Sequence, residues 1–154
     1  MLLTTLWQLF LGPRLNGLWV SLLPFLAEPS GFALGAALAS PAVKAQFVGA
    51  WGVFALFAVN AVFNTLGEEL LFRGVLLPKM SASFGRWDWL ANGVLFGAYH
   101  LHQPWGVLGS IGTGALFYAL PAKRFRSTWM SIIVHSVQGL YFLFLIFGLV
   151  LGLA

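Results

Sequence analysis

Residues Ala45–Leu66 form a run of 22 residues without a charged side chain, and the run ends directly in Gly67-Glu68-Glu69. About 20 apolar residues in a helix cross the hydrocarbon core of a bilayer. Every backbone polar group in that core must be satisfied within the segment, so such a run is helical. Two adjacent carboxylates at its end then need a physical reason. Apolarity resumes after Glu69, broken only by Arg73, as far as Pro78-Lys79. One straight helix over Ala45–Leu77 would be about 50 Å long. The expectation is a helix that tilts, breaks near Gly67 or runs out into the interface.

The rest of the chain suits a membrane solvent. Of its 154 residues, 60% are hydrophobic and 8% charged, and the mean hydropathy is +0.89. A soluble domain carries about a quarter charged residues, so a soluble enzyme is excluded, and disorder with it. The net charge of +4 sits in short loops between apolar runs and is not a nucleic-acid footprint. The absence of cysteine removes disulfides, thiolate nucleophiles and Cys metal sites.

Length allows one membrane domain, residues 1–154, with about four to six spans. No basic segment or small-residue cleavage site opens the chain, so no signal peptide is expected. Met1–Ala27 is apolar but interrupted at Pro13-Arg14. Glu28-Pro29-Ser30-Gly31 signals a turn, and Gly31–Ser40 is too short to span. Residues 1–40 are therefore read as one or two helices, residues 1–44 as the N-terminal part of the domain and residues 45–154 as its core. Further spans are expected at Trp87–His102, Trp105–Ala122 and Trp129–Ala154. Gly106, Ser110 and Gly114 make a small-residue stripe that allows close helix approach. Lys79, Arg86, Lys123, Arg124 and Arg126 lie in two loops separated by two spans, which the positive-inside rule puts in the cytoplasm. The fold class expected is all-α: a polytopic transmembrane helix bundle in the cell membrane, with lipid around it and a polar cavity inside.

Ionisable residues inside spans are costly and call for partners. Counted inward from the loop charges, Glu68 lies about 16 Å deep, His100 about 21 Å and His135 about 13 Å. Three helices thus bring ionisable groups to one layer, and a shared polar cavity accommodates them. Glu69 and Arg73 are four residues apart and can pair. Glu68 is turned about 100° away and continues a stripe through Asn60 and Asn64, with Phe72 a turn further. Asn92, Phe96 and His100 make a similar stripe on the next span, and His135 follows Ser131 at the same spacing. Glu69 reads as the paired, structural carboxylate. Glu68 reads as the unpaired one, suited to act as a general base beside two imidazoles. His102, beside Gln103 and Pro104, reads as interfacial.

The order of these motifs carries a resemblance. Glu68-Glu69-Leu70-Leu71-Phe72-Arg73 reads EExxxR, Phe96 to His100 reads FxxxH, and His135 falls where a third motif's histidine would stand. One per hydrophobic span, they resemble the CPBP family of CAAX proteases and bacteriocin-processing enzymes. These are Abi-type intramembrane proteases related to the type II CAAX prenyl endopeptidase. The resemblance covers about residues 45–147. It implies a peptidase in which Glu68, assisted by His100, activates water. Glu69 and Arg73 would support Glu68, and His135 would help bind the oxyanion. Asn64, Phe72, Asn92, Phe96 and Gln138 would line the substrate cavity. The substrate implied is a peptide or protein, prenylated or otherwise close to lipid. The third motif is usually HxxxN. Here Gly139 holds the Asn position, preceded by Gln138. No metal is expected, although Glu68, His100 and His135 would also make a His₂Glu set for Zn²⁺. Two other readings fit the same residues. One is a non-catalytic binding, immunity or scaffold protein of this fold. The other is a proton-coupled transporter.

Overall fold

The computed structural model describes residues 2–29 and 38–153, and every regular element among them is helical. Helix α1 covers residues 2–22, α2 is Pro41–Phe47 and α3 covers residues 51–84. Then come α4 at Asp88–Tyr99, α5 over residues 107–125 and α6 at Thr128–Val150. Short 3₁₀ turns at Gly85–Trp87 and Pro104–Gly106 link α3 to α4 and α4 to α5. The helical run Trp51–Tyr99 and the helix Thr128–Val150 are each long and apolar enough to cross a membrane. Most of their surface faces outward, with Leu56, Phe63 and Phe144 each more than 70% exposed. Apolar surface on that scale suits lipid rather than water.

Residues 1–40 were expected as one or two helices, broken at Pro13. Residues 2–22 form one helix that passes through Pro13 without ending, and a 3₁₀ turn at Pro24–Leu26 follows it. The helix takes the π form at Trp7–Leu11, and the α form resumes at Gly12, just before Pro13. The turn expected at residues 28–31 and the short segment Gly31–Ser40 fall largely outside the described residues. Three hydrogen bonds dock α1 onto the α5 region. Trp7 Nε1 donates to Thr113 Oγ1 (2.9 Å), Gly109 N–H to Asn16 Oδ1 (2.7 Å), and Trp19 Nε1 to the Pro104 carbonyl (2.9 Å).

The long apolar run does not break at Gly67. Its helix starts at Trp51, after Gly49 turns the chain with φ +74° and donates its N–H to the Val150 carbonyl at 2.9 Å. It stays helical to Phe84, and residues Leu70–Leu76 take the wider π form. There the Leu77 N–H bonds to the Phe72 carbonyl, five residues back. Helix α5 does the same at Thr113–Ala119, with Leu120 N–H on the Ala115 carbonyl. Helix α4, at 12 residues, is shorter than the span expected at Trp87–His102. Gly85 at φ +53° reverses the chain before it, a conformation that glycine adopts without steric cost.

Packing runs in pairs: α3 against α6, α4 against α5, α1 against α5, and the end of α3 against α4. The π segment of α5 touches α4, α6 and the π segment of α3. Close approach follows the expected stripe in part: a Cβ on Gly114 would sit 2.7 Å from Phe96 Cδ1. Gly106, in contrast, has open space around it, and Gly93 and Gly97 of α4 are tight positions outside the stripe. A Cβ on Gly93 would sit 2.5 Å from Ala115 Cβ and 2.7 Å from its backbone nitrogen. Gly93→Ala is therefore expected to lose about 1–3 kcal/mol through overpacking. Gly52→Ala, with nothing within 4 Å, should melt like the parent. Thermal unfolding in detergent micelles compares the two.

The two basic loops meet. Lys123 Nζ pairs with Asp88 Oδ1 and donates to the carbonyls of Gly85 (3.3 Å) and Arg86 (3.2 Å). They lie at one end of the bundle, as the charge pattern requires. Asp88 is buried and accepts the Trp89 N–H as well.

Candidate active site

Glu69 and Arg73 are fully buried. Arg73 Nη1 donates to Glu69 Oε1 at 3.1 Å, and Nη2 donates to the Gly114 carbonyl at 3.0 Å. The i, i+4 pair expected from the sequence is thus present, with a further bond that sequence spacing does not show. It crosses from the π segment of α3 to that of α5. The guanidinium lies over three rings, Phe96 at 4.5 Å, Tyr118 at 5.1 Å and Phe72 at 5.5 Å. Phe72, Phe96 and Tyr118 also form one buried cluster, in which both phenylalanines and the tyrosine meet edge to face. An aromatic cage and a carboxylate together compensate a cation placed this deep.

His135, from α6, turns to Glu69. Its Nδ1 donates to Glu69 Oε1 at 2.9 Å, where the sequence reading grouped it with Glu68. One carboxylate oxygen therefore joins α3 to α6 and holds Arg73. The His135 ring stacks on Tyr118, centroids 4.6 Å apart and planes 17° apart. The Tyr118 hydroxyl donates to Gln138 Oε1 at 2.8 Å.

His100 is the cap residue at the end of α4, half-buried, rather than a mid-helix residue. Its Nδ1 lies 2.8 Å from the Phe96 carbonyl. A carbonyl only accepts, so Nδ1 carries the proton and Nε2 is left for other work. Asn92, fully buried, donates through Nδ2 to the Phe72 carbonyl at 2.8 Å. That carbonyl lies inside the π segment, so the side chain of α4 pins the irregular turn of α3.

Glu68 is buried at 7% exposure and makes no hydrogen bond among the described residues. It lies within electrostatic reach of His135, His100, Glu69 and Arg73. The structure thus gathers Glu68, Glu69, Arg73, His100, His135, Phe72, Phe96, Asn92 and Gln138 around one layer. Asn64, expected beside them, is exposed on α3, as is Asn60. Glu69 Oε2, Arg73 Nε and Asn92 Oδ1 are buried without a protein partner among the described residues. Among those residues, no three His, Asp or Glu side chains cluster to hold a metal ion. His135 and His100 have each committed Nδ1, the first to a carboxylate and the second to a backbone carbonyl.

A groove of about 710 Å³ runs beside this layer, between α3 and α4. Leu76, Met80, Phe84, Trp87, Leu90, Ala91, Val94 and Leu95 line it. It is apolar, and none of the ionisable residues of the layer reaches it.

Tyr118 is the central residue that sequence reasoning missed. At 1% exposure it touches Arg73, His135, Phe96 and Gln138, yet in the sequence it looks like one more aromatic of an apolar span. A weak signal was present: it falls four residues after Gly114, on the same face of the helix.

Ionisable side chains held so deep inside a lipid-facing helical shell define the class, a membrane protein with a polar interior layer. The chain matches the family model described as type II CAAX prenyl endopeptidase Rce1-like over residues 50–141, and it belongs to this family of CAAX proteases. The matched stretch contains every ionisable residue of the layer and leaves out α1. No curated protein and no solved structure matches the chain.

Proposed function

We propose that the protein is a multi-pass intramembrane endopeptidase that hydrolyses a peptide bond with a water activated by Glu68. The observation that carries this reading is the division of labour between adjacent carboxylates. Glu69 is tied to Arg73 and His135, whereas Glu68, beside it, has no hydrogen-bond partner among the described residues. An unengaged carboxylate next to two imidazoles is free to take a proton. Glu68 removes a proton from water as the oxygen attacks the carbonyl carbon, and His100 assists through Nε2. His135, with Nδ1 on Glu69, helps bind the oxyanion by donating from Nε2, which requires the ring to carry a proton on both nitrogens. The proton returns to the leaving amine as the C–N bond breaks. The three buried polar atoms without protein partners support a hydrated layer, because native proteins meet such groups with water.

The substrate is a peptide or protein segment that reaches this layer from lipid, and the apolar groove beside it suits a lipid-proximal or prenylated chain. No step is routed through a metal. Cleavage by protein in lipid vesicles is therefore expected to survive a strong zinc chelator. Loss of cleavage on chelation, restored by added Zn²⁺, would install the His₂Glu alternative instead.

Gly139 favours a second reading. It stands at the family's usual Asn position, which suits a member that binds in the cavity without cutting. Cleavage of a peptide library by the purified protein in vesicles, followed by mass spectrometry, separates the two. Defined cleavage products are the expected result, and intact peptides that still bind would favour the second reading.

A further inference from the structure

Gln138 and Tyr118 form a unit that the reaction scheme above does not use. Gln138 lies three residues beyond His135 on α6, so the two side chains share one face of the helix. An amide side chain can present either its oxygen or its nitrogen to a site, and free rotation would mix the two. Here the choice is made. The Tyr118 hydroxyl donates to Gln138 Oε1 at 2.8 Å, which turns the oxygen toward α5. The amide nitrogen makes no hydrogen bond among the described residues. Tyr118 itself has little freedom. It is 1% exposed, stacked on the His135 ring and packed edge to face on Phe96. The hydroxyl is therefore a fixed donor on a fixed ring. It orients a neutral N–H₂ group one helical turn from the imidazole that faces the reacting carbonyl.

We propose that Tyr118 is a positioning residue that orients Gln138, and that the Gln138 amide N–H₂ donates to the substrate carbonyl oxygen as negative charge develops on it. This rests on the endopeptidase reading and deepens it. A neutral amide donor fits because it stabilises the developing oxyanion without adding a charge that would need its own partner in the membrane. A positioned donor of this kind is worth about 10²–10³ in rate. Loosening it rather than removing it should cost less.

The test is a double-mutant cycle on peptide cleavage by protein in vesicles. Gln138→Leu is expected to lower kcat by about 10²–10³-fold with KM unchanged. Tyr118→Phe keeps the ring, the stacking on His135 and the core packing. It is expected to lower kcat about 10–100-fold, again at constant KM and with an unchanged melting temperature. The double variant should be no slower than Gln138→Leu alone, because Tyr118 acts only through Gln138. If the Tyr118→Phe loss persists in full on the Gln138→Leu background, the hydroxyl acts by another route and the proposal is overturned. If Tyr118→Phe cleaves at the parent rate while Glu68→Gln is inactive, the proposal fails and the endopeptidase reading stands. If the parent protein cleaves no substrate, that reading fails, and nitrogen NMR of the Gln138 amide in nanodiscs decides the positioning. A single sharp resonance pair that broadens in Tyr118→Phe is expected. A pair indifferent to the substitution overturns it.

Discussion

Glu68→Gln is expected to lower the rate of peptide cleavage by about 10²–10⁴-fold while KM and thermal stability stay close to those of the parent. The geometry makes the separation possible. Glu68 is buried but makes no hydrogen bond among the described residues, so an isosteric amide breaks no contact that holds helices together. It removes only the ability to accept a proton from water. Glu69→Gln behaves differently, because the same atoms carry the bonds to Arg73 and His135. That substitution should lower the melting temperature and the rate together. Cleavage by Glu68→Gln at the parent rate would remove Glu68 as the base.

The second large effect is one of stability. Arg73→Met removes the only formal cation in contact with Glu69 among the described residues, along with the bond to the Gly114 carbonyl. It leaves a carboxylate buried with one imidazole for company. Breaking a buried pair by taking away one partner costs about 3–5 kcal/mol, and the aromatic cage would lose its cation as well. The variant is expected to accumulate poorly in membranes and to melt well below the parent in micelles. The double replacement Glu69→Leu with Arg73→Met should recover part of that loss, because no unpaired charge remains. Equal melting temperatures for parent and Arg73→Met would show that the pair contributes nothing to the fold.

Local features of this fold were legible in the sequence. The Glu69–Arg73 pair follows from helical periodicity alone, as does the shared face of Asn92, Phe96 and His100. The location of the basic loops at one end follows from counting spans, and the Lys123–Asp88 pair joins them physically. What could not be read required relative rotation of distant helices. His135 lies 66 residues from Glu69, and which of two neighbouring carboxylates it meets depends on how α6 is turned against α3. No spacing within either helix holds that information. Tyr118 was hidden for a compositional reason, because a ring inside an apolar span usually signals only packing. The docking of α1 was hidden for a third reason. It depends on single polar atoms, Trp7 Nε1 and Asn16 Oδ1, in a segment whose hydropathy reads as plain membrane helix.

The π turns of α3 and α5 left no trace in the hydropathy pattern either, yet they bear on how relatives should be compared. Such a turn is an ordinary helix that has absorbed one surplus residue, which swings everything beyond it by about 100°. Arg73 and the Phe72 carbonyl lie within one of these insertions, and the Gly114 carbonyl and Tyr118 lie within the other. The aim of these groups is thus set by a count of residues as much as by their identity. A homologue could keep every motif letter and, lacking one position in either helix, direct its arginine into the lipid.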